Sequence, residues 1–217
     1  MTQMDGSEMV LAFCALRPLA VGVLRRHGID PSSRTTVAAC CESRGLTVEA
    51  FRAELVACEE QLAAAWRGRA LPELLDHIVR TFHRPFSAKL GEVTAMLDEA
   101  RPDGEPARTA WCEVSDQLAE LRLDLEDHML KEEQVLFPWL RRRAVTAAAP
   151  IRAMQLEHGD AISLLLALHV AAARWGDAAS DPSARLVIAK LVEVEDWVCE
   201  HIHFESNELV PRALDPT

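Results

Sequence analysis

The sequence predicts an all-α protein: a small helical N-terminal unit followed by an up-down-up-down four-helix bundle. Three observations carry that prediction. Ala and Leu recur at short intervals while runs of Val, Ile and Thr are rare, which favours helix over sheet. Gly is sparse, at nine in 217 residues, so few points are free to break a helix. From residue 71 onward, four long amphipathic stretches follow one another through short connections, and short connections make neighbouring helices antiparallel. The chain is long enough to bury a sizeable core.

Residues 7–16 read as a short helix with Ser7 at its N-cap. Pro18 opens a second helix that runs through Leu24 and ends near Gly28. Asp30-Pro31-Ser32-Ser33 is a turn, and Thr35 to Arg44 make a third short helix stopped by Gly45. Thr47-Val48-Glu49-Ala50 caps a longer helix reaching Trp66, with Phe51, Leu55, Cys58 and Leu62 at helical spacing. These elements form one unit, residues 1–66, and Arg67-Gly68-Arg69-Ala70 links it to the bundle at 71–214.

The first bundle helix runs from Pro72 to Ala100, and Pro85 should kink or break it. The second runs from Ala107 to Arg143 and the third from Pro150 to Gly176. The fourth starts at Asp181-Pro182, a cap followed by a proline in the first turn, and ends around Pro211.

Charge and cysteine usage exclude several functions. A net charge of −11 and a pI near 5.2 argue against nucleic acid as a partner. The longest basic run, Arg141-Arg142-Arg143, follows a helix and complements its dipole. No uninterrupted apolar run reaches the roughly 20 residues that span a bilayer, and the N-terminus lacks a signal-peptide pattern. A cytoplasmic protein with no membrane partner is expected. The six cysteines form no C-x-x-C pair, and reduced thiols are expected. Cys58, Cys112 and Cys199 fall in apolar helical patterns and read as small core residues.

The most informative stretch is His128-Met129-Leu130-Lys131-Glu132, followed by Leu136 and Pro138. It recurs 73 residues later as His201-Ile202-His203-Phe204-Glu205, followed by Leu209 and Pro211. Both copies read H-x-x-x-E-x-x-x-L-x-P. Positions i and i+4 share one helix face, so each copy aims an imidazole and a carboxylate at the same point. His83 on the first bundle helix and His158 on the third supply partners. The separations match: 45 residues from His83 to His128 and 43 from His158 to His201.

Chance pairs among eight His and 34 acids would not also share their Leu and Pro positions. Four imidazoles with two carboxylates suit iron or manganese, and no matched thiolates point to structural zinc. With Glu132 and Glu205 bridging two ions, each ion keeps an open position for a small ligand such as O2, NO, peroxide or water. Glu157, next to His158, is either a carboxylate supporting the site from behind or a surface acid. His27, His77, His169 and His203 are expected to lie off the site, since their spacing turns them away or leaves them without partners.

With these residues identified, the chain resembles hemerythrin-like proteins, and most closely the repair-of-iron-centres family of di-iron stress proteins. The matching segments are FHRPF at 82–86, EDHMLKEEQVLFPWL at 126–140, LEHGDA at 156–161 and HIHFESNELVPRAL at 201–214. The resemblance implies two iron ions, carboxylate-bridged and oxo- or hydroxo-bridged. Their ligands would be His83, His128, His158 and His201, with Glu132 and Glu205 as bridges. It implies repair of damaged iron–sulfur clusters and binding of nitric oxide or oxygen species, with iron–sulfur client proteins as partners and a homodimer as the assembly. A reversible O2, NO or redox sensor and an NO or peroxide reductase are the alternatives.

Oxygen carriers of the wider group place a second His four residues beyond the one on the third helix and an Asp five beyond the last His. This chain has Ile162 and Ser206 there, which favours the repair family. The N-terminal unit also looks like that family's small helical domain. However, Pro31-Ser32-Ser33-Arg34 stands where the family carries an adjacent Cys pair. Cys40-Cys41 comes later, in the following helix, and is not expected to substitute for that pair.

Overall fold

The computed structural model of the chain describes residues 6–142, 148–179 and 181–214. Among these, the only β-type pairing is an isolated antiparallel bridge between Met9 and Thr36. Everything else is helix or turn.

Four short helices come first: α1 (Val10–Leu16), α2 (Ala20–Arg26), α3 (Val37–Ser43) and α4 (Val48–Ala64). The hydroxyls of Thr36 and Thr47 accept hydrogen bonds from the amides of Ala39 and Ala50, at 3.2 and 3.1 Å. They thereby satisfy donors that a helix start leaves open. Gly28 and Gly45 end α2 and α3 with φ of 66° and 67°, the left-handed conformation glycine adopts at little cost.

Ser7 does not cap α1. That helix starts at Val10, and its first amide donates to the carbonyl of Thr35 while Val37 donates to Glu8. The strand-like pairing with the start of α3 replaces a side-chain cap. Pro18 lies in the turn before α2 rather than in its first turn.

Four long helices follow. α5 covers residues 71–99 as Leu71–Ile78, a π-helical turn Val79–His83, and Arg84–Glu99. α6 covers 107–141 as Ala107–Lys131, a π turn Glu132–Leu136, and Phe137–Arg141. α7 is Ala148–Ala178. α8 covers 182–214 as Pro182–Phe204, a π turn Glu205–Leu209, and Val210–Leu214. Asp181 caps α8 by accepting from the amide of Ser183 at 2.9 Å. Arg143, the expected end of α6, lies outside the described residues. α7 begins before Pro150 and runs past Gly176, and α8 continues three residues beyond Pro211.

Pro85 does not break α5, which passes through it by way of the π turn Val79–His83. The amides of Arg84, Phe137 and Val210 donate five residues back, to the carbonyls of Val79, Glu132 and Glu205. In each case the next residue is proline: Pro85, Pro138 or Pro211. A proline ring has no N–H and collides with the carbonyl four residues back, and widening the preceding turn by one residue accommodates both defects. The L-x-P tail of the repeated motif is thus the signature of a π turn that begins at the motif's glutamate.

The long helices close a ring in which α5 packs on α6, α6 on α7, α7 on α8 and α8 on α5. α1 lies against α7, and α2 lies between α4 and α8. The apolar core falls into two clusters. The larger joins Phe13, Leu24 and Phe51 of the N-terminal helices to Leu90, Leu118, Leu165, Trp175 and Val198 of the bundle. The smaller, at the other end, gathers Trp66, Ile78, Phe82, Phe137, Met154 and Leu209. Between them every long helix carries polar residues: His83 on α5, His128 and Glu132 on α6, His158 on α7, and His201 and Glu205 on α8, all buried.

Within α7, Ala149–Ala178 is long and apolar enough to cross a membrane by length and composition alone. Counting uninterrupted apolar runs overlooks it because scattered charges divide the stretch. Here 44% of its most apolar window is buried inside the protein, against α6, α8 and α1. Cys112 is exposed rather than core, because Trp111 takes the inward position beside it.

Candidate metal centre

The π turns determine how the polar layer is built. His83 is the last residue of the first, and Glu132 and Glu205 open the second and third. A widened turn shifts everything after it around the helix axis, and this is a recurrent device at functional sites.

All six residues singled out from the sequence converge. They form two groups of buried donors: His83, Glu132, His201 and Glu205 in one, and His128, Glu132, His158 and Glu205 in the other. Within each group, one donor atom per residue lies within 4.8 Å of all the others. Both carboxylates belong to both groups. Glu205 Oε1 is 2.9 Å from His201 Nε2, and its Oε2 is 2.9 Å from His158 Nε2. Glu132 Oε2 is 3.4 Å from His83 Nε2, and its Oε1 is 3.6 Å from His128 Nε2. His128 and His158 bring their Nε2 atoms to 3.2 Å.

The far sides of the rings are held as well. His83 Nδ1 donates to Glu133 at 2.9 Å, and His128 Nδ1 donates to Glu157 at 2.8 Å. Glu157 is in turn 2.7 Å from Lys131 Nζ. Ser206 Oγ lies 3.3 Å from His158 Nδ1. Such bonds fix the ring plane and leave Nε2 to point inward. Glu157 therefore supports the site from behind. Glu133 and Ser206 do the same and were not legible as such from spacing alone, although Glu133 directly follows Glu132 and one residue turns a side chain about 100° outward.

The donor set fits cations. Both oxygens of Glu132, Nε2 of His83 and Nδ1 of His201 are buried without a hydrogen-bond partner among the described residues. Leaving buried polar atoms unmatched is costly, and three of these four atoms point into the two donor groups.

The titration behaviour of the metal-free cage agrees. Burial disfavours the imidazolium of His83, but Glu132 and Glu205 beside it outweigh burial and raise its pKa to about 10. Burial likewise opposes the charge on His128, and Glu132 with Glu205 brings it up to about 9. Burial and then the charge of Glu205 push Glu132 up to about 7. Burial also works against ionised Glu205, yet the imidazoles of His201, His128 and His158 hold it well below the usual carboxylate range. Burial drops His201 to about 4. Without metal, protons occupy the places where cations would compensate the carboxylates.

The other four imidazoles lie elsewhere. His27 Nε2 is 2.6 Å from Glu54, His169 Nδ1 is 3.3 Å from Glu195, and His203 Nδ1 is 3.0 Å from Asn207. His77 packs its ring on Trp66, with centroids 4.5 Å apart. Ile162 is part of the apolar core. Cys40 Sγ is 3.5 Å from Ser33 Oγ and 2.9 Å from Thr35 Oγ1. Cys41 is fully buried, its thiol pushed up by burial and then by Cys40.

A helical bundle whose core carries four imidazoles and two shared carboxylates defines a cation-binding protein of the bundle class. The chain belongs to the hemerythrin HHE cation binding domain family, whose model matches residues 74–213. It is 30% identical over 205 residues to the iron–sulfur cluster repair protein YtfE of Citrobacter koseri, covering 91% of this chain and 92% of that one. Its identity to the protein of the same name from Enterobacter sp. is 30% over 212 residues, covering 95% and 94%. For that of Dickeya chrysanthemi it is 29% over 206 residues, covering 91% and 92%.

Proposed function

We propose that the chain holds two iron ions in this cage and serves the repair of damaged iron–sulfur clusters. His83 and His201 would ligate one ion, and His128 and His158 the other, with Glu132 and Glu205 shared between them. The observation that carries the reading is the membership of both carboxylates in both donor groups, which is what two neighbouring cations require. Iron bound there supplies a reversible change of charge and open positions for small ligands.

The chain's own residues support that chemistry in three ways. Glu133, Glu157 and Ser206 keep three imidazoles turned inward. The Phe82 ring stacks on His201 at 5.0 Å and Phe137 on His83 at 5.5 Å, closing one side with apolar surface. Glu132 is buried with neither oxygen hydrogen-bonded among the described residues, which leaves both free to face the ions.

The test is a cell-free one. Full-length protein loaded with iron is added to an iron–sulfur enzyme damaged by NO, and recovery of that enzyme's activity is followed alongside iron transfer. Recovery supports the proposal. Iron content well under one ion per chain, or no recovery at full loading, defeats it.

The thiols favour a second reading, reversible binding of O2, NO or a redox signal. Cys40 and Cys41 are both buried and the half-buried Ser32-Ser33 occupies the turn, so the described residues of the N-terminal unit offer no accessible thiol pair. Tight, reversible gas binding without enzyme recovery would select that reading. Turnover of NO or peroxide with an electron donor would select reduction instead.

A further inference from the structure

Outside the metal cage, a cleft of about 620 Å³ opens between the start of α5, the end of α6 and the segment joining α4 to α5. Its size falls within the range of small-molecule sites, on the order of 300–1,000 Å³. Four arginines line it, Arg69, Arg80, Arg84 and Arg141, against three carboxylates, Glu73, Asp76 and Glu133. In a chain of net charge −11 this is a local reversal of sign.

Two of the three carboxylates are already engaged. Asp76 pairs with Arg141 at 2.5 Å, and Glu133 accepts from His83 at 2.9 Å. That leaves Arg69, Arg80 and Arg84 facing Glu73 and the carboxylate of Glu133, an excess of one positive charge. Arg69 Cζ lies over the Trp66 ring, 4.8 Å from its centroid, and among the described residues Arg80 donates only to the carbonyl of Asp76. Arg84 has no ion pair among the described residues. Trp66 and Phe137 provide apolar walls. Guanidinium groups present flat forks that match carboxylate and phosphate oxygens.

We propose that this cleft is a binding site for a small polyanion, a molecule carrying two or more carboxylate or phosphate charges. The site is separated from the metal cage by one layer of side chains: Glu133 is bonded to His83, and Phe137 stacks on it. A ligand seated there touches the outer support of one proposed iron ligand without entering the cage.

The experiment is calorimetric titration of full-length, metal-loaded protein with tricarballylate as the carboxylate probe and inorganic phosphate as the phosphate probe. Metal content is measured before and after each run. Saturable one-to-one binding of at least one probe is expected, and the tighter probe identifies the source of the charge. Arg84→Glu and Arg80→Glu should each weaken it by about tenfold or more, as expected for loss of a charge-assisted hydrogen bond. Arg185→Glu, the same change at an exposed position at the start of α8, should leave it unchanged.

Circular dichroism establishes that each variant is folded, and Arg84→Gln serves if Arg84→Glu is not. Absence of saturable binding of either probe overturns the proposal, as does an equal loss in Arg185→Glu. Binding of an acidic peptide without binding of either small probe also overturns it, in favour of a protein docking surface. The readout is heat of binding rather than cluster repair, so it stands or falls separately from the function proposed above.

Discussion

The two halves of the metal cage carry the same donors and sit in different surroundings. The His83–His201 half is walled by aromatic rings, Glu133 behind His83 is its polar support, and His201 Nδ1 has no hydrogen-bond partner among the described residues. The His128–His158 half is polar: Glu157 and Lys131 stand behind His128, and Ser206 behind His158. The repeated H-x-x-x-E motif produces the shared donors. The unequal surroundings come from residues outside the motif, so a sequence repeat here yields chemical pairing without chemical equivalence.

The largest effect should come from a residue both halves share. Glu205→Ala is expected to abolish binding of both ions, because that carboxylate touches three imidazoles and stands in both donor groups. Elemental analysis checks this, and retention of one full equivalent would show that the halves do not depend on a common bridge. Next, His201→Ala and His158→Ala should each cost one ion of two, read by metal content together with the spectrum of the remaining ion. If the two variants retain indistinguishable spectra, the contrast between an apolar and a polar half is wrong.

Acidity gives the third test. In the metal-free protein His83 and His128 titrate near 10 and 9, so each carries a proton at neutral pH that ligation must displace. Metal uptake at neutral pH should therefore release about two protons from this pair, and apparent affinity should rise with pH up to the range of those values. A pH-stat measurement showing no proton release would refute the assignment.

Smaller still, Glu133→Gln and Glu157→Gln should each weaken metal binding by roughly 10–100-fold, each on its own half, as loss of an outer support commonly does. Competition with a chelator measures it, and an effect of Glu133→Gln on the His128 half would blur the comparison. Last, His203→Ala should leave metal content unchanged, since its ring is buried beside Asn207 and belongs to neither group. Substantial metal loss there would overturn the assignment of helix faces.

Much of this was legible from residues alone. The i,i+4 spacing of His128 with Glu132 and of His201 with Glu205 placed each pair on one face, and the matched distances to His83 and His158 brought four helices to one level. Helix starts at Thr47 and Asp181 followed from capping chemistry. The start of α1 did not, because the helix begins at Val10, whose amide donates to the carbonyl of Thr35 across a bridge. Cys112 was misread as core because one residue of helical rotation separates it from Trp111.

The sequence by itself determined the helical class, the order of the elements and the set of six donors, since each rests on periodicity and spacing within single helices. The tertiary structure decided what spacing cannot carry. Pro85 is written as a kink or a break, yet the packed bundle carries α5 through it by a π turn, as it carries α6 and α8 past Pro138 and Pro211. The same packing set Glu133 and Glu157 behind their imidazoles and left His201 Nδ1 unmatched. Those contacts join residues 29 and 50 positions apart along the chain, where no local pattern constrains them.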